Sequence, residues 1–493
     1  MKIMLINPLS DLARLSSTYF RSVTPLPPLG LASLSAVLKN NNMDVFVEDQ
    51  YASGISNEAL IRKISDFAPQ IVGFSCLTTA MSNVKRLVKG IKDAGIPTKI
   101  VLGNIHPTIF AEEVLAQGFA DIIVRGEGEE TFLEAAMALD RNIELEGIQG
   151  VSFLRKGKII HNPEREIIED LDTLVYPDWH SLDLKYYKRY PMLGIYNSLV
   201  LPVQASRGCS YNCLFCSQDK FYKKPRYRKI TKVVDEIEYL YNEFNMKYIG
   251  FTDAYFPFSK DSGLEFCDEF IRRKLHKRIK WFTETRVDMV DLELMRRMKE
   301  ANLYLIMYGF EVGNQKILDY TGKATTLEQA RKAMEYTKKC HVRSLGLFML
   351  GLPPDTKETC RQTIKFAKEL DPDLVKFNIA VPFPGSVFFE ENKYKIGNID
   401  KIDNKFTSWH DWSSWDGEII YSSNAITKEE LSNLQRKGMF DFYMRPGIIL
   451  KHLIQRTFSL ADLCFGAMLL FKNYLKSCKI ISTKSSSVKD KIV

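Results

Sequence analysis

Three cysteines stand close together in the segment Arg207-Gly-Cys209-Ser-Tyr-Asn-Cys213-Leu-Phe-Cys216. Three thiolates within eight residues, on a loop that follows a predicted strand, can bind one face of an iron–sulfur cube. Because only three ligands are local, one iron of such a cube is left open for a substrate. Structural zinc usually takes four protein ligands in two pairs, and no second CxxC pair lies nearby. Zinc and three buried structural cysteines remain the alternatives.

The remaining cysteines do not form a disulfide framework. The total of nine is odd, and six are scattered along the chain, at Cys76, Cys267, Cys340, Cys360, Cys464 and Cys478. This usage is typical of a reducing cytoplasm with one metal site. The first residues, Met1–Asn7, do not resemble a signal peptide, and no segment offers about 18 uninterrupted apolar residues. We therefore expect a cytoplasmic protein.

Positive charge is concentrated in the last part of the chain. The formal net charge is +8, and nine Lys and Arg from Arg445 onward oppose only Asp462 and Asp490. A nucleic-acid-binding fold usually spreads basic residues over a working face, so we expect no nucleic-acid partner. The tail also carries apolar residues at helical spacing. It could be a packed helix pair or a peripheral membrane contact with anionic lipid.

The cysteines follow the first of six predicted strands that alternate with amphipathic helices. This order predicts parallel βα units, and six of them predict a partial (β/α)6 barrel. In barrels of this kind chemistry lies on loops at the carboxyl ends of the strands. The predicted strands are Leu199–Gln204, Tyr248–Phe251, Trp281–Thr283, Leu305–Gly309, Ser344–Leu350 and Leu374–Ala380.

The first 140 residues show a second series of short apolar strands separated by helices. This pattern predicts an α/β, Rossmann-like (flavodoxin-like) domain over residues 1–140. We expect a linker over 141–198 with a hairpin (Val151–Leu154 and Lys158–His161), the barrel over 199–395, and a mainly helical region over 396–493.

The cysteine loop resembles that of the radical S-adenosylmethionine (SAM) superfamily, whose CxxxCxxC spacing it matches. The resemblance implies that Cys209, Cys213 and Cys216 hold a [4Fe–4S] cluster and that SAM binds the open iron. An electron from the cluster then cleaves SAM to a 5′-deoxyadenosyl radical. In this family the aromatic residue before the last cysteine contacts adenine, and Phe215 has that position.

Further strand ends resemble motifs of the same family. Asp253 ends the second strand, Arg286 the third, and Glu311 lies in a turn like the family's GxE. The resemblance implies that these residues contact SAM, together with Met349 and Gly351 in a turn that resembles GLPGET. Pro354 and Asp355 replace the usual Gly and Glu of that turn.

An α/β domain before such a barrel resembles the cobalamin-binding radical SAM group. Gly103-Asn-Ile-His-Pro-Thr108 resembles that group's GGPHPT turn, and Arg125-Gly-Glu-Gly-Glu resembles RGEGE. Cobalamin contacts are implied for Ser75, Leu77, Thr78, Gly103, His106, Gly126 and Glu127. The family's usual cobalt-ligating histidine is absent from the loop Pro8–Leu26, so cobalamin would bind without it.

The basic run Lys220–Lys229 follows the cysteine loop. It is either a solvated face, a docking site for an acidic electron donor of the flavodoxin or ferredoxin type, or a site for an anionic substrate.

The family resemblance implies a radical SAM enzyme that methylates an unactivated carbon of a small-molecule or lipid-like substrate with a methyl group carried by cobalamin. A radical cyclase like the anaerobic magnesium-protoporphyrin ester cyclase is the first alternative. A non-catalytic regulator that binds a cluster or a corrinoid is the second, although such a protein would not need the SAM-binding strand ends.

Overall fold

The computed structural model describes residues 1–10, 26–396, 419–455 and 458–489, with side chains to Leu475 in the last helix. The chain forms two compact units. The first contains Met1–Arg189, Asn197–Ala254 and Pro382–Glu418, and the second contains Tyr190–Tyr196, Tyr255–Val381 and Ile419–Val493. The domain boundaries given above stay predictions.

A seven-stranded sheet forms the centre of the first unit, in the order β2-β1-β3-β4-β5-β6-β7. The strands are β1 (Lys2–Asn7), β2 (Asp44–Asp49), β3 (Ile71–Ser75), β4 (Lys99–Gly103), β5 (Ile122–Val124), β6 (Val151–Arg155) and β7 (Lys158–His161). The first five are parallel, so their carboxyl ends share one edge. The apolar runs of β1 and β3 are buried, as expected where helices cover both faces of a parallel sheet.

Helices connect these strands in the order that the sequence predicts. They are α1 (Leu29–Asn40), α2 (Gln50–Ser53), α3 (Asn57–Phe67), α4 (Met81–Asp93), α5 (Ile105–Ile109), α6 (Ala111–Ala116) and α7 (Gly128–Asp140). The hairpin β6–β7 lies in the predicted linker but pairs with β5, so the sheet continues beyond residue 140.

The first unit also holds the first two strands of the barrel series. β8 (Val200–Val203) pairs in parallel with β11 (Tyr248–Phe251), and β9 (Ser206–Arg207) pairs antiparallel with β10 (Arg226–Tyr227). Three helices accompany them, namely α8 (Gln218–Tyr222), α9 (Ile230–Phe244) and, later in the chain, α15 (Val387–Asn392).

Four neighbouring parallel strands form the sheet of the second unit. They are β12 (Lys280–Thr285), β13 (Leu303–Glu311), β14 (Arg343–Leu350) and β15 (Leu374–Ile379). The helices between them are α10 (Lys260–Arg272), α11 (Leu292–Glu300), α12 (Gln315–Tyr320), α13 (Leu327–Lys339) and α14 (Lys357–Leu370). Every one of the six predicted barrel strands is therefore present.

The described C-terminal residues are mainly helical, as predicted. The helices are α16 (Lys428–Tyr443), α17 (Pro446–Ile454) and α18 (Leu460–Lys489). Of the described helices, none combines the length and apolar character needed to cross a bilayer. The predicted region 396–493 and the histidine-free loop Pro8–Leu26 fall partly outside the described residues.

Candidate active site

The three predicted cluster ligands lie on one loop that directly follows β9. Cys209, Cys213 and Cys216 are all half-buried, and the Cys216 N–H donates to the Cys213 carbonyl oxygen at 2.9 Å. The loop begins at Gly208, whose φ is +84°. A Cβ there would lie 2.4 Å from the backbone oxygen of Lys224, so only glycine fits both the conformation and the space.

The donor chemistry of this loop fits a cube better than a single metal ion. Among the described residues, no three His, Cys, Asp or Glu side chains converge in a way that could hold one ion. In a cube each thiolate binds a different iron, so the sulfurs need not converge on one point. The three thiolates would hold such a cluster with one iron open.

A buried charge network holds the residue two positions before the first cysteine. Arg207 donates to the Glu127 carboxylate at 2.9 Å and to the Glu129 carboxylate at 2.5 Å. Arg226 donates to Glu127 at 2.8 and 3.0 Å, and the Ile168 N–H adds a fourth hydrogen bond at 3.1 Å. The RGEGE-like turn of the N-terminal sheet is thus joined to the start of the cysteine loop.

The network favours the charged forms of Glu127 and Arg207. Burial opposes ionisation of Glu127, but hydrogen bonds and positive charge from Arg226 and Arg207 outweigh it and lower the pKa of Glu127. Burial also opposes the charge of Arg207, but Glu129 and Glu127 outweigh it and raise its pKa. The sequence prediction included Glu127 but missed Arg207, Glu129 and Arg226. The repeated Glu of the turn and the Arg before Cys209 were the available signals.

Asp253 binds backbone and side-chain groups just before the cysteine loop. Its carboxyl group is buried and accepts from the Ala205 N–H at 3.0 Å and from the Ser206 hydroxyl at 2.5 Å. Burial raises the pKa of Asp253 to about 7, against the opposing effect of these hydrogen bonds. In this position Asp253 orients the chain that leads to the cysteines.

A cavity of about 330 Å³ lies at the N-terminal sheet. Four of the seven predicted cobalamin residues line it, namely Ser75, Gly103, Gly126 and Glu127. Further lining residues that the sequence prediction missed include Gly30, Ser33, Leu34, Asn104, Gly128, Glu129, Phe132, Gln204, Arg207 and Tyr222. In an open α/β sheet the carboxyl edge is the usual ligand site.

Glycines keep this cavity open. A Cβ at Gly30 would meet no atom within 4 Å, and one at Gly103 would meet its nearest atom only at 3.8 Å. Side chains at these positions would therefore project into the open space. The volume of the cavity suits a group the size of a nucleotide rather than an entire corrinoid, so the cavity would hold one part of cobalamin.

The other three predicted cobalamin residues do not belong to this cavity's lining. Leu77 is 51% exposed, whereas Thr78 and His106 are buried. The His106 Nδ1 atom lies 3.3 Å from the Thr78 hydroxyl. Burial, with the nearby charge of Lys85, lowers the pKa of His106 to about 3, so its ring is neutral at pH 7.

Two of the predicted SAM residues, Arg286 and Glu311, are buried in the second unit, and each forms an ion pair with another residue. Arg286 donates to Asp288 at 3.0 and 2.9 Å and to the Lys323 carbonyl oxygen at 2.8 Å. The Lys323 ammonium lies 2.5 Å from the Glu311 carboxylate. The same ammonium donates to the Gly309 carbonyl oxygen at 2.5 Å. Lys323 thus joins the two predicted residues, and the sequence prediction missed it.

The turn after β14 is held by the residue that departs from the family pattern. The Asp355 carboxylate accepts from the backbone N–H groups of Gly351 and Leu352 at 2.9 and 3.1 Å. Gly351 has φ +87°, which favours glycine. Met349 is half-buried on β14, and Phe215 is half-buried within the cysteine loop.

Comparisons with known proteins agree with this arrangement. The sequence model of the B12 binding domain matches residues 20–136, and that of the Radical SAM superfamily matches residues 203–367. The chain is 32% identical to the uncharacterized methyltransferase PH0819 of Pyrococcus horikoshii, over 92% of this chain and 95% of that protein. It is also 32% identical to the anaerobic magnesium-protoporphyrin IX monomethyl ester cyclase of Rubrivivax gelatinosus, over 76% of this chain and 68% of the cyclase.

A solved structure shares the fold. The radical SAM methyltransferase TsrM of Kitasatospora setae, with cobalamin and a [4Fe–4S] cluster bound, superimposes with a TM-score of 0.69. The identity is 16%, and the match covers 90% of this chain and 89% of TsrM. The Rossmann-like domain followed by a partial (β/α)6 barrel is thereby confirmed. The protein is an enzyme that belongs to the cobalamin-binding radical SAM family, whose cofactors are a [4Fe–4S] cluster, SAM and cobalamin.

Proposed function

We propose that this enzyme methylates an unactivated carbon of an organic substrate, with SAM as the source of both the radical and the methyl group. The cluster supplies the electron that cleaves SAM, and cobalamin supplies the methyl-carrying site. The observation that carries the proposal is the charge network, because Glu127, Glu129 and Arg207 line the N-terminal cavity while Arg207 begins the cysteine loop.

The residues of this chain have distinct parts in the proposal. Cys209, Cys213 and Cys216 bind the cluster, and Ser75, Gly103, Gly126 and Glu127 border the cobalamin site. Phe215, Asp253, Arg286, Glu311, Met349 and Gly351 are assigned to the SAM site. Asp253 acts there through the backbone that it orients, and Glu311 through its pair with Lys323. Leu77, Thr78 and His106 support the turn beside the cavity.

The experiment is anoxic reconstitution of the protein with iron, sulfide and hydroxocobalamin, followed by a strong reductant and methyl-labelled SAM. We expect 5′-deoxyadenosine and S-adenosylhomocysteine, with the label transferred to the corrinoid. Replacing Cys213 with Ala removes a cluster ligand, so 5′-deoxyadenosine should fall to background. If corrinoid-loaded protein forms no S-adenosylhomocysteine, methyl transfer is refuted.

A radical cyclase is the second candidate, favoured by the 32% identity to the Rubrivivax gelatinosus cyclase. The same experiment separates the two functions, since a cyclase forms 5′-deoxyadenosine without labelling the corrinoid. The methyltransferase proposal is preferred because the similarity to PH0819 spans nearly both full chains, whereas this chain covers 68% of the cyclase.

The external electron donor is proposed to be a flavodoxin- or ferredoxin-type protein, on the ground that the reaction requires single electrons. The basic run after the cysteine loop gives this little support. Most of its charges are paired within the first unit, as in Lys223 with Glu164 and Lys224 with Glu169, both at 2.7 Å, and in Arg228 with Glu236 at 2.5 Å.

The helices α17 and α18 are proposed to contact anionic lipid, which would suit a lipid-like substrate. They expose large apolar side chains, among them Leu450 at 57%, Ile454 at 71%, Leu460 at 72% and Phe471 at 53%. The surrounding sequence is strongly basic. Co-sedimentation should show binding to phosphatidylglycerol vesicles but not phosphatidylcholine vesicles, and Ile454→Ser should weaken it. Equal binding to both vesicles would contradict the charge argument.

A further inference from the structure

The sheet of the second unit has one half-exposed face in the carboxyl-terminal halves of its strands. Residues that are paired between neighbouring parallel strands have their side chains on the same face of the sheet. Glu284 pairs with Met307, which in turn pairs with Leu345. In the next row Gly309 pairs with Leu347, which pairs with Lys376. We call this the inner face. Its half-exposed side chains are Glu284, Met307, Leu345, Leu347, Met349, Lys376 and Asn378.

The opposite face of the same strands is a closed core. Phe348 and Phe377 are at most 1% exposed, with ring centroids 5.5 Å apart. Phe310 stacks on Phe348 at 5.3 Å. The half-exposure of the inner face is therefore a property of that side alone. Its Met and Leu side chains offer a concentrated apolar surface of the kind that lines small-molecule sites.

One ion pair on this face is already complete. The Glu311 carboxylate and the Lys323 ammonium pair at 2.5 Å, and both are nearly buried. Gly309 makes room for them, since a Cβ at this position would lie 2.5 Å from each group. Among the described residues, Glu284 and Lys376 are further charged groups on this face.

Among the described charged side chains of the inner face, Glu284 differs in having no hydrogen bond to its carboxyl group. Within the described residues no group hydrogen-bonds its carboxyl, and only charges act on it besides burial. Burial and the negative charge of Glu311 raise the pKa of Glu284 to about 7, while Lys323 and Lys376 oppose the rise. Burial lowers the pKa of Lys376, and Glu284 opposes that change. A desolvated carboxyl group without a hydrogen-bond donor costs stability unless a ligand satisfies it.

The geometry points to the inner face as the substrate surface, where Lys376 and Glu284 hold a carboxylate of a largely apolar molecule. The Lys376 ammonium would pair with the carboxylate, and protonated Glu284 would donate a hydrogen bond to it. The apolar body would lie on Met307, Leu345 and Leu347. This inference rests on the proposed function, because it names the substrate class for that reaction.

The test uses the reconstituted holoenzyme with two eight-carbon probes that differ only in their head group, octanoate and octan-1-ol. At pH 6.5 calorimetry should show octanoate binding at least tenfold more tightly. Lys376→Met keeps the length of the side chain but removes its charge, so octanoate should lose at least tenfold in affinity while octanol is unchanged. Lys332→Met, on the exposed surface of α13, is the matched control and should change neither.

The pH dependence supplies a second readout. Raising the pH from 6 to 8 should weaken octanoate binding, because ionised Glu284 repels the carboxylate; the charged groups that act on Glu284 are Glu311, Lys323 and Lys376. Glu284→Gln still donates a hydrogen bond but cannot ionise, so this variant should show a flat profile. Circular dichroism checks that each variant is folded.

Equal affinity for both probes, tighter binding of octylamine than of octanoate, or an unaltered Lys376→Met variant would overturn the inference. Its failure is distinct from failure of the proposed function. Wild-type protein that forms 5′-deoxyadenosine but shows no head-group preference refutes only the substrate class. Wild-type protein that forms none refutes the reaction itself.

Discussion

Glu127 in the first unit and Glu284 in the second are both carboxyl groups withdrawn from water, yet their surroundings shift the two pKa values in opposite directions. Glu127 accepts four hydrogen bonds from Arg207, Arg226 and Ile168, and its pKa is lowered. Glu284 has only longer-range charges around it, and its pKa is raised to about 7.

This difference separates support from binding. In the first unit Glu127 is paired with Arg207 and Arg226, so the network fixes the position of the start of the cysteine loop. In the second unit the Glu284 carboxyl group is desolvated and has no hydrogen-bond donor among the described residues. This arrangement lowers the stability of the folded protein, and the fold does not require it. Such groups are characteristic of functional sites, although ion-pair networks also shift pKa values.

The largest effect is expected from Gly208→Ala, which tests whether the first region is a rigid support. The new Cβ would lie 2.4 Å from the Lys224 backbone oxygen, and backbone cannot move aside as a side chain can. We expect iron and sulfide incorporation, measured per chain after anoxic reconstitution, to fall at least tenfold.

The matched control is Gly157→Ala. Gly157 also has a positive φ, +79°, but no atom lies within 4 Å of its Cβ position. This variant should bind the cluster as the wild type does. Normal cluster content in Gly208→Ala would show that the loop is not held by this close contact.

Glu127→Ala should have the next largest effect, on stability. Removal of Glu127 leaves Arg207 and Arg226 buried without their shared partner, a change that typically costs about 3 kcal/mol. The midpoint of thermal unfolding, followed by circular dichroism, should fall by several degrees.

Glu130→Ala provides the comparison within the same turn. The Glu130 side chain is 59% exposed, and its ion pair with Arg165 at 3.2 Å should contribute less than about 1 kcal/mol. If both alanine variants melt alike, the network is not what holds this region.

Glu284→Gln should have the smallest effect and the opposite sign. The pKa of Glu284 is about 7 in the folded protein, above its ordinary value of 4.5. Ionisation of this group therefore lowers the stability of the wild type as the pH rises between those two values. At pH 8 the variant should therefore be more stable by about 1 kcal/mol, and at pH 4.5 the difference should vanish. Urea unfolding at both pH values measures it. A variant less stable than the wild type at pH 8 would place Glu284 with Glu127 as a structural group.

Local patterns predicted most strands because their apolar runs are short and bounded. The strands Lys158–His161 and Tyr248–Phe251 agree with the prediction residue for residue. Helix ends were less predictable. The sequence pattern predicts a helix over 110–117, and the structure has α6 over Ala111–Ala116, after a break at Phe110, whose φ of −111° and ψ of 38° are not helical.

The C-terminal helices show the same limit. The sequence pattern predicts helices over 447–458 and 460–475, and the structure has α17 ending at Ile454 and α18 continuing to Lys489. Amphipathic periodicity identifies a helix but says little about its last turn, where hydrogen bonds to neighbouring groups decide the boundary.

The sequence by itself determined the cofactor chemistry, because three cysteines at fixed spacing on one loop need no distant residue to make a cluster site. It also determined the alternation of strands and helices, which depends on apolar periodicity along the chain. Only the tertiary structure decided that Glu127 pairs with Arg207 and Arg226, which lie 80 and 99 residues away. Only the strand register placed Glu284 and Lys376 on one face. Contacts across such separations depend on how the sheet is assembled, and no local pattern encodes that.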